Sequence, residues 1–166
     1  MNKKAHLPVF GVGPFYVISI IILTVAGIIL GILGLIPSAT IKKLEIPFII
    51  LGIILIVLGI VIWIKAVFQS KIDERIRKNT LVTDGIYAWV RHPIYSAFML
   101  ICTGMLFIAR NLWLLILPFF FWLLLTILMI HTEEKWLEER FGLAYRDYCK
   151  QVNRCIPWFP RKYNKQ

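Results

Sequence analysis

Phe15 to Ile36 reads F-Y-V-I-S-I-I-I-L-T-V-A-G-I-I-L-G-I-L-G-L-I, without a charged side chain. A helix needs ~20 predominantly apolar residues to cross a bilayer core, and this stretch supplies them. Lys3 and Lys4 precede it, as in a signal peptide. The run is too long for an h-region, however, and lacks an A-x-A-like cleavage site, so a first permanent span is expected. Gly27-x-x-x-Gly31 within it offers a close-packing face for another helix, although glycine is common in spanning helices in any case.

Working outward, Pro37 to Ile46 reads as a short loop. A second span is expected from Pro47 to about Phe68, with Trp63 and Lys65 at its far interface. Residues 15–68 thus hold two N-terminal spans. Lys71 to Lys78 reads as a solvated helical extension, and Thr83-Asp84-Gly85 as a turn. Pro93 opens a short third apolar helix from Ile94 to about Ala109. Arg110-Asn111 then turns the chain into a fourth span over 112–130, where Pro118 predicts a kink. Residues 94–130 should form an antiparallel hairpin. Beyond it, Leu137, Phe141, Tyr145, Tyr148 and Val152 recur every three or four residues, which predicts an amphipathic cytoplasmic helix with a break allowed at Gly142. The fold class expected is all-α: an integral membrane helical bundle of about four transmembrane helices, forming one membrane domain over 1–166.

Composition agrees. The chain of 166 residues is 59% hydrophobic and 17% charged, whereas soluble domains are roughly half apolar. The net charge of +10 is compatible with nucleic-acid binding, but the cations flank the apolar runs, so a membrane partner is expected and no nucleic acid. With four spans, every Lys and Arg except Lys42, Lys43 and Arg110 falls on one side. The positive-inside rule then places both termini in the cytoplasm. Cys102, Cys149 and Cys155 form no CxxC and no zinc spacing, so reduced thiols and no metal are expected.

Two polar clusters should meet at that edge. One is Arg91-His92-Pro93-Ile94-Tyr95, led by Gly85-Ile86-Tyr87-Ala88-Trp89; the other is His131-Thr132-Glu133-Glu134. A helix start at a membrane surface would account for the first without any chemistry. The second could likewise be a solvated helix start, but it lies near the end of a spanning helix, where the dipole disfavours carboxylates. Acidic groups at membrane depth are costly and commonly line a polar cavity.

The segment L-V-T-D-G-I-Y-A-W-V-R-H-P-I-Y at 81–95, a hairpin, E-E-K-W-L-E-E-R-F-G-L-A-Y-R-D-Y at 133–148 and V-N-R-C-I-P at 152–157 together resemble the isoprenylcysteine carboxyl methyltransferase and phospholipid methyltransferase superfamily. The resemblance covers roughly residues 79–158. It implies an S-adenosylmethionine-dependent membrane methyltransferase acting on a lipid or lipidated acceptor. It also implies a cofactor site formed by Asn79, Thr80, Leu81, Val82, Tyr87, His92, Pro93, Ile94, Tyr95 and Glu133 or Glu134, to which the charge of the cofactor carboxylate adds Arg91; His92, Tyr95 and Glu134 are the catalytic candidates. In this scheme a carboxylate pairs with the cofactor ammonium, Arg91 or backbone N–H groups answer its carboxylate, and Tyr87, Trp89 and Tyr95 offer ring faces. Arg154 and Trp158 would suit a closing role.

Members that methylate prenylcysteine carry an acceptor-holding arginine about one turn before the glutamate, where this chain has Met129. An amine-bearing lipid therefore stays open as acceptor, with His92, His131 or a glutamate as base. Two rival readings remain: a sterol-reductase-like protein binding NADPH, and a non-catalytic membrane scaffold.

Overall fold

The computed structural model describes residues 12–69 and 80–159. Among them every regular element is helical: α1 (Gly13–Ile32), α2 (Glu45–Ile64), α3 (Pro93–Ile108), α4 (Leu117–His131), α5 (Glu133–Phe141) and α6 (Leu143–Gln151). Three helical stretches, Gly13–Ile32, Lys42–Phe68 and Leu112–Phe141, are long and apolar enough to cross a membrane, and Pro93–Ile108 is a shorter apolar helix. The outward faces carry exposed Ile, Leu and Val throughout α1 and α2. Such a surface suits lipid rather than water, and the chain is an integral membrane helical bundle. The Lys71–Lys78 extension and Asn79 lie outside the described residues.

The tightest packing joins α2 to α3. A Cβ added at Gly52 would stand 2.6 Å from the Gly104 carbonyl oxygen, and one at Gly104 would stand 2.5 Å from that of Gly52. Two turns away, a Cβ at Gly59 would stand 2.7 Å from the Ala97 carbonyl oxygen. Numbers rise along α2 as they fall along α3, so the two run antiparallel, with a small residue every seven positions on each. Within lipid there is little hydrophobic drive between helices. Close backbone approach through small residues is what gains dispersion contact.

Gly27 also serves packing, since a Cβ there would meet Leu114 and Leu117 side chains at 3.2 Å. The buried stripes of α1 (Tyr16, Ile20, Thr24) and α4 (Phe121, Leu125, Met129) recur every four residues. With Met99, Cys102 and Leu106 of α3, their apolar members build the main core.

Two expectations are corrected. Pro118 lies in the first turn of α4, so it starts that helix instead of kinking it. The chain needs this start because Leu112–Ile116 first makes a 3-10 turn, capped by the Asn111 side chain accepting from Trp113 N at 3.1 Å. Second, α4 stops at His131, and Thr132 breaks it with φ −127° and ψ −87°. Glu133 and Glu134 therefore open α5, where a helix dipole favours carboxylates. The expected break at Gly142 is present: its φ of +54° divides α5 from α6.

The α1–α2 and α3–α4 connections meet at one end of the bundle, where Asn111 Nδ2 donates to the Pro37 carbonyl at 3.2 Å and Leu112 N to that of Ala39 at 2.9 Å. The start of α3 and the end of α4 lie at the other end, with both polar clusters.

Gly104→Val should lower the melting temperature in detergent, because forced overpacking costs about 1–3 kcal/mol. Gly31→Ala, whose Cβ would make only ordinary contact at 3.8 Å, should be neutral or better, and differential scanning fluorimetry of the two variants checks the contrast.

Candidate functional site

His92 caps α3 with extended-type φ and Pro93 sits in its first turn, so the R-H-P sequence ends a loop and begins a helix within three residues. The chain between Val152 and Phe159 runs back beside this loop as a strap. Arg91 N donates to the Asn153 carbonyl at 2.9 Å, His92 N to that of Arg154 at 3.2 Å, and Trp158 N to that of Trp89 at 3.0 Å. Backbone groups ahead of α3 that would otherwise go unpaired are satisfied in this way.

Side chains lock the same junction around Glu134. Arg154 grips it bidentately, Nε to Oε1 at 2.7 Å and Nη2 to Oε2 at 2.8 Å. His92 Nε2 lies 3.2 Å from Oε1, and Arg91 Nη1 lies 3.1 Å from it. His92 and Glu134 are both buried. The carboxylate holds the Arg154 guanidinium above its ordinary value. Arg91 Nη1 also donates to Cys149 Sγ on α6 at 2.7 Å. The acceptor at Glu134 assigns the His92 proton to Nε2, so Nδ1 is the nitrogen left to face a ligand.

Glu133 is placed differently. Its Oε1 accepts from the Tyr95 hydroxyl at 2.7 Å. Its Oε2 lies 3.7 Å from His92 Nδ1, beyond good hydrogen-bond reach. No hydrogen bond to Oε2 forms among the described residues, and the side chain keeps 25% of its surface. Tyr95 and His92 stack with ring centroids 6.0 Å apart.

Tyr87, in the 3-10 turn Gly85–Ala88 that Gly85 opens with φ +59°, is half-buried. Burial pushes its phenol up, and the charge of Glu133 adds to this. The Tyr148 hydroxyl of α6 donates to the Tyr87 carbonyl at 2.6 Å, fastening the turn. Leu81 packs on the cluster of Tyr145, Tyr148 and Val152, on the amphipathic face of α5 and α6, whereas Ile86 and Tyr87 pack with Ile62 and Ala97 of α2 and α3. Next to Leu81, Val82 is half-buried and Thr80 is exposed.

Of the expected set, His92, Pro93, Tyr95, Arg91, Glu133 and Glu134 come together, and Tyr87 is joined to them through α6. Trp89 is exposed and contacts Phe159 of the strap, ring centroids 5.9 Å apart, so it presents no face to the cluster. His131 is exposed and takes no part in the network. Met129 is fully buried in the apolar core. No local pattern marked Cys149 as a partner of Arg91, nor Tyr148 as the tie to Tyr87. Their spacing marked only an apolar helix face.

The phospholipid methyltransferase family matches residues 47–144, more than half of the chain. A protein-S-isoprenylcysteine O-methyltransferase of Schizosaccharomyces pombe is 41% identical over 93 residues, covering 53% of this chain and 37% of that protein. Proteins of the same name from Saccharomyces cerevisiae and Tribolium castaneum are 36% and 35% identical over 81 and 88 residues, covering 48% and 51% of this chain and 34% and 30% of theirs. The chain thus matches about a third of the length of these curated relatives. No solved structure matches it significantly. With the polar junction at the start of α3 and the glutamates of α5 within or beside the matched segment, this chain belongs to the phospholipid methyltransferase family.

Proposed function

We propose that the protein transfers a methyl group from S-adenosylmethionine to a lipid-linked acceptor at the cytoplasmic edge of a membrane. One observation carries the reading: adjacent glutamates with unequal duties. Glu134 is consumed by Arg154, Arg91 and His92, whereas Glu133 keeps an oxygen free of hydrogen bonds among the described residues. A half-buried carboxylate with an open oxygen suits an ammonium. Glu133 is therefore the glutamate assigned to the cofactor, and Glu134 the anchor that holds the site together.

The remaining residues fit the same ligand. Among the described residues Arg91 Nε is buried without a hydrogen-bond partner, an N–H that a carboxylate reaching it would satisfy. The backbone of Thr80, Leu81 and Val82 and the ring of Tyr87 offer polar edges and a π face to a nucleoside. The cofactor supplies an activated methyl group; the protein's part is to hold acceptor and methyl in line, where most of the rate gain of such a displacement arises. If the acceptor is an amine, His92 Nδ1 is the histidine route for its proton among the residues of the site, since Nε2 is taken by Glu134.

The names of the relatives support a prenylcysteine-type carboxylate as acceptor. Met129 favours a second reading, an amine-bearing lipid, because its buried thioether offers a carboxylate no charge. Both termini are placed in the cytoplasm on the distribution of Lys and Arg.

Calorimetry in nanodiscs should show saturable S-adenosylmethionine binding that Glu133→Gln weakens roughly tenfold or more, as expected for a charged hydrogen bond worth about 1.5–3 kcal/mol, with little change in melting temperature. NADPH binding in its place would move the protein to the reductase reading, and binding of neither by folded protein to the scaffold reading.

Glu134→Gln should destabilise the fold by several kcal/mol, since it leaves the buried Arg91 without its carboxylate, and Arg154→Ala by less, since Arg91 and His92 still face Glu134. Thermal unfolding of the double variant should fall well short of the sum.

In a background lacking Cys102, Cys149 and Cys155, Lys42→Cys and Lys162→Cys should label from opposite sides of sealed vesicles; labelling from the same side overturns the topology.

A further inference from the structure

We propose that Gly13 and Tyr16, at the start of α1, are positioning residues that hold the Tyr95 hydroxyl on Glu133, which makes the first span a wall of the site as well as a membrane anchor. Both lie outside the segment that the family matches, residues 47–144. The inference rests on the assignment of Glu133 to the cofactor, and it deepens that reading.

Three contacts define the position of the Tyr95 ring. Its hydroxyl donates to Glu133 Oε1 at 2.7 Å. His92 stacks with it at 6.0 Å and 24°. Tyr16 meets it edge-on, ring centroids 6.1 Å apart and planes at 74°. The remaining space is taken by α1 itself. A Cβ at Gly13 would stand 2.5 Å from Tyr95 Cε1 and 2.7 Å from its Cζ, and closer still to its hydroxyl oxygen. The phenol therefore lies against bare backbone, and any side chain at 13 must displace the ring or the helix.

Gly13 is held there by more than its own contact. It shares the buried stripe of α1 with Tyr16, Ile20, Thr24 and Gly27. That stripe is packed along the core residues of α3 and α4, so α1 cannot retreat without opening the bundle. Tyr16 is fully buried and its hydroxyl has no hydrogen-bond partner among the described residues. An unsatisfied hydroxyl costs stability, so what the site gains from Tyr16 is the ring, as a stop for Tyr95.

The consequence for the site is specific. With Tyr95 held, Glu133 Oε1 is occupied and the carboxylate is oriented, leaving Oε2 for the ligand. With Tyr95 released, Glu133 can rotate and its open oxygen loses its fixed direction.

The test is a double-mutant cycle on the full chain in nanodiscs, read by S-adenosylmethionine affinity and by melting temperature. Gly13→Ala is expected to weaken affinity about tenfold, and Tyr95→Ala by a similar factor. Gly13→Ala added to Tyr95→Ala should cost nothing further, because the side chain it strikes is gone. Tyr16→Ala should weaken affinity, and Tyr16→Phe should restore it. An equal loss from Gly13→Ala with and without Tyr95, or no loss at all, overturns the proposal.

Should the parent protein fail to bind S-adenosylmethionine, the functional reading falls, and the melting temperatures still decide the clamp. Gly13→Ala must then lower the melting temperature only when Tyr95 is present.

Discussion

A carboxylate at the edge of an apolar bundle must be paired, and the pairing of Glu134 is the constraint on which the rest of this structure depends. Its partners come from two distant parts of the chain: Arg91 and His92 from the loop before α3, and Arg154 from the strap. None of these charges is comfortable alone at that depth. Their mutual satisfaction fixes the strap on the loop and the loop on α5, and Arg91 ties α6 to the loop through Cys149. Glu133, one residue away on the same first turn, inherits its position from this junction without being spent on it.

The bundle supplies the rigidity that such a junction needs. Where α2 and α3 approach at Gly52, Gly59, Ala97 and Gly104, backbone carbonyls set the spacing and leave little room to repack. The start of α3, and with it His92 and Tyr95, is therefore set by a contact that lies deep in the apolar region. A site of polar residues at one end is thereby held by glycines in the middle. The shortness of α3 belongs to the same arrangement, since its first residue is already at the level of the glutamates that open α5.

Much of this was legible in the residues. The apolar runs set the number and approximate limits of the helices, because chain length and bilayer thickness leave little choice. Gly142 announced its break, and Arg110-Asn111 its turn. The R-H-P-x-Y and E-E motifs named the residues that meet. Other features were misread for local reasons. Pro118 looked like a kink because nothing marked the 3-10 turn before it, and the glutamates looked like a helix end because the break at Thr132 has no proline or glycine to signal it. The Gly52, Gly59 and Gly104 contact also escaped, since the two glycines seven apart on α2 meet Gly104 and Ala97 of α3 only once the helices are paired.

The sequence by itself therefore determined an all-helical membrane bundle with its polar chemistry gathered at one end, because hydropathy and the satisfaction of backbone hydrogen bonds within lipid act on the chain locally. Only the tertiary structure decided which glutamate is spent and which is open, that Arg154 closes the junction while Trp89 faces away, and that α1 reaches Tyr95. Those outcomes depend on distances between residues tens of positions apart, and such distances are set by how helices pack, which no local pattern encodes.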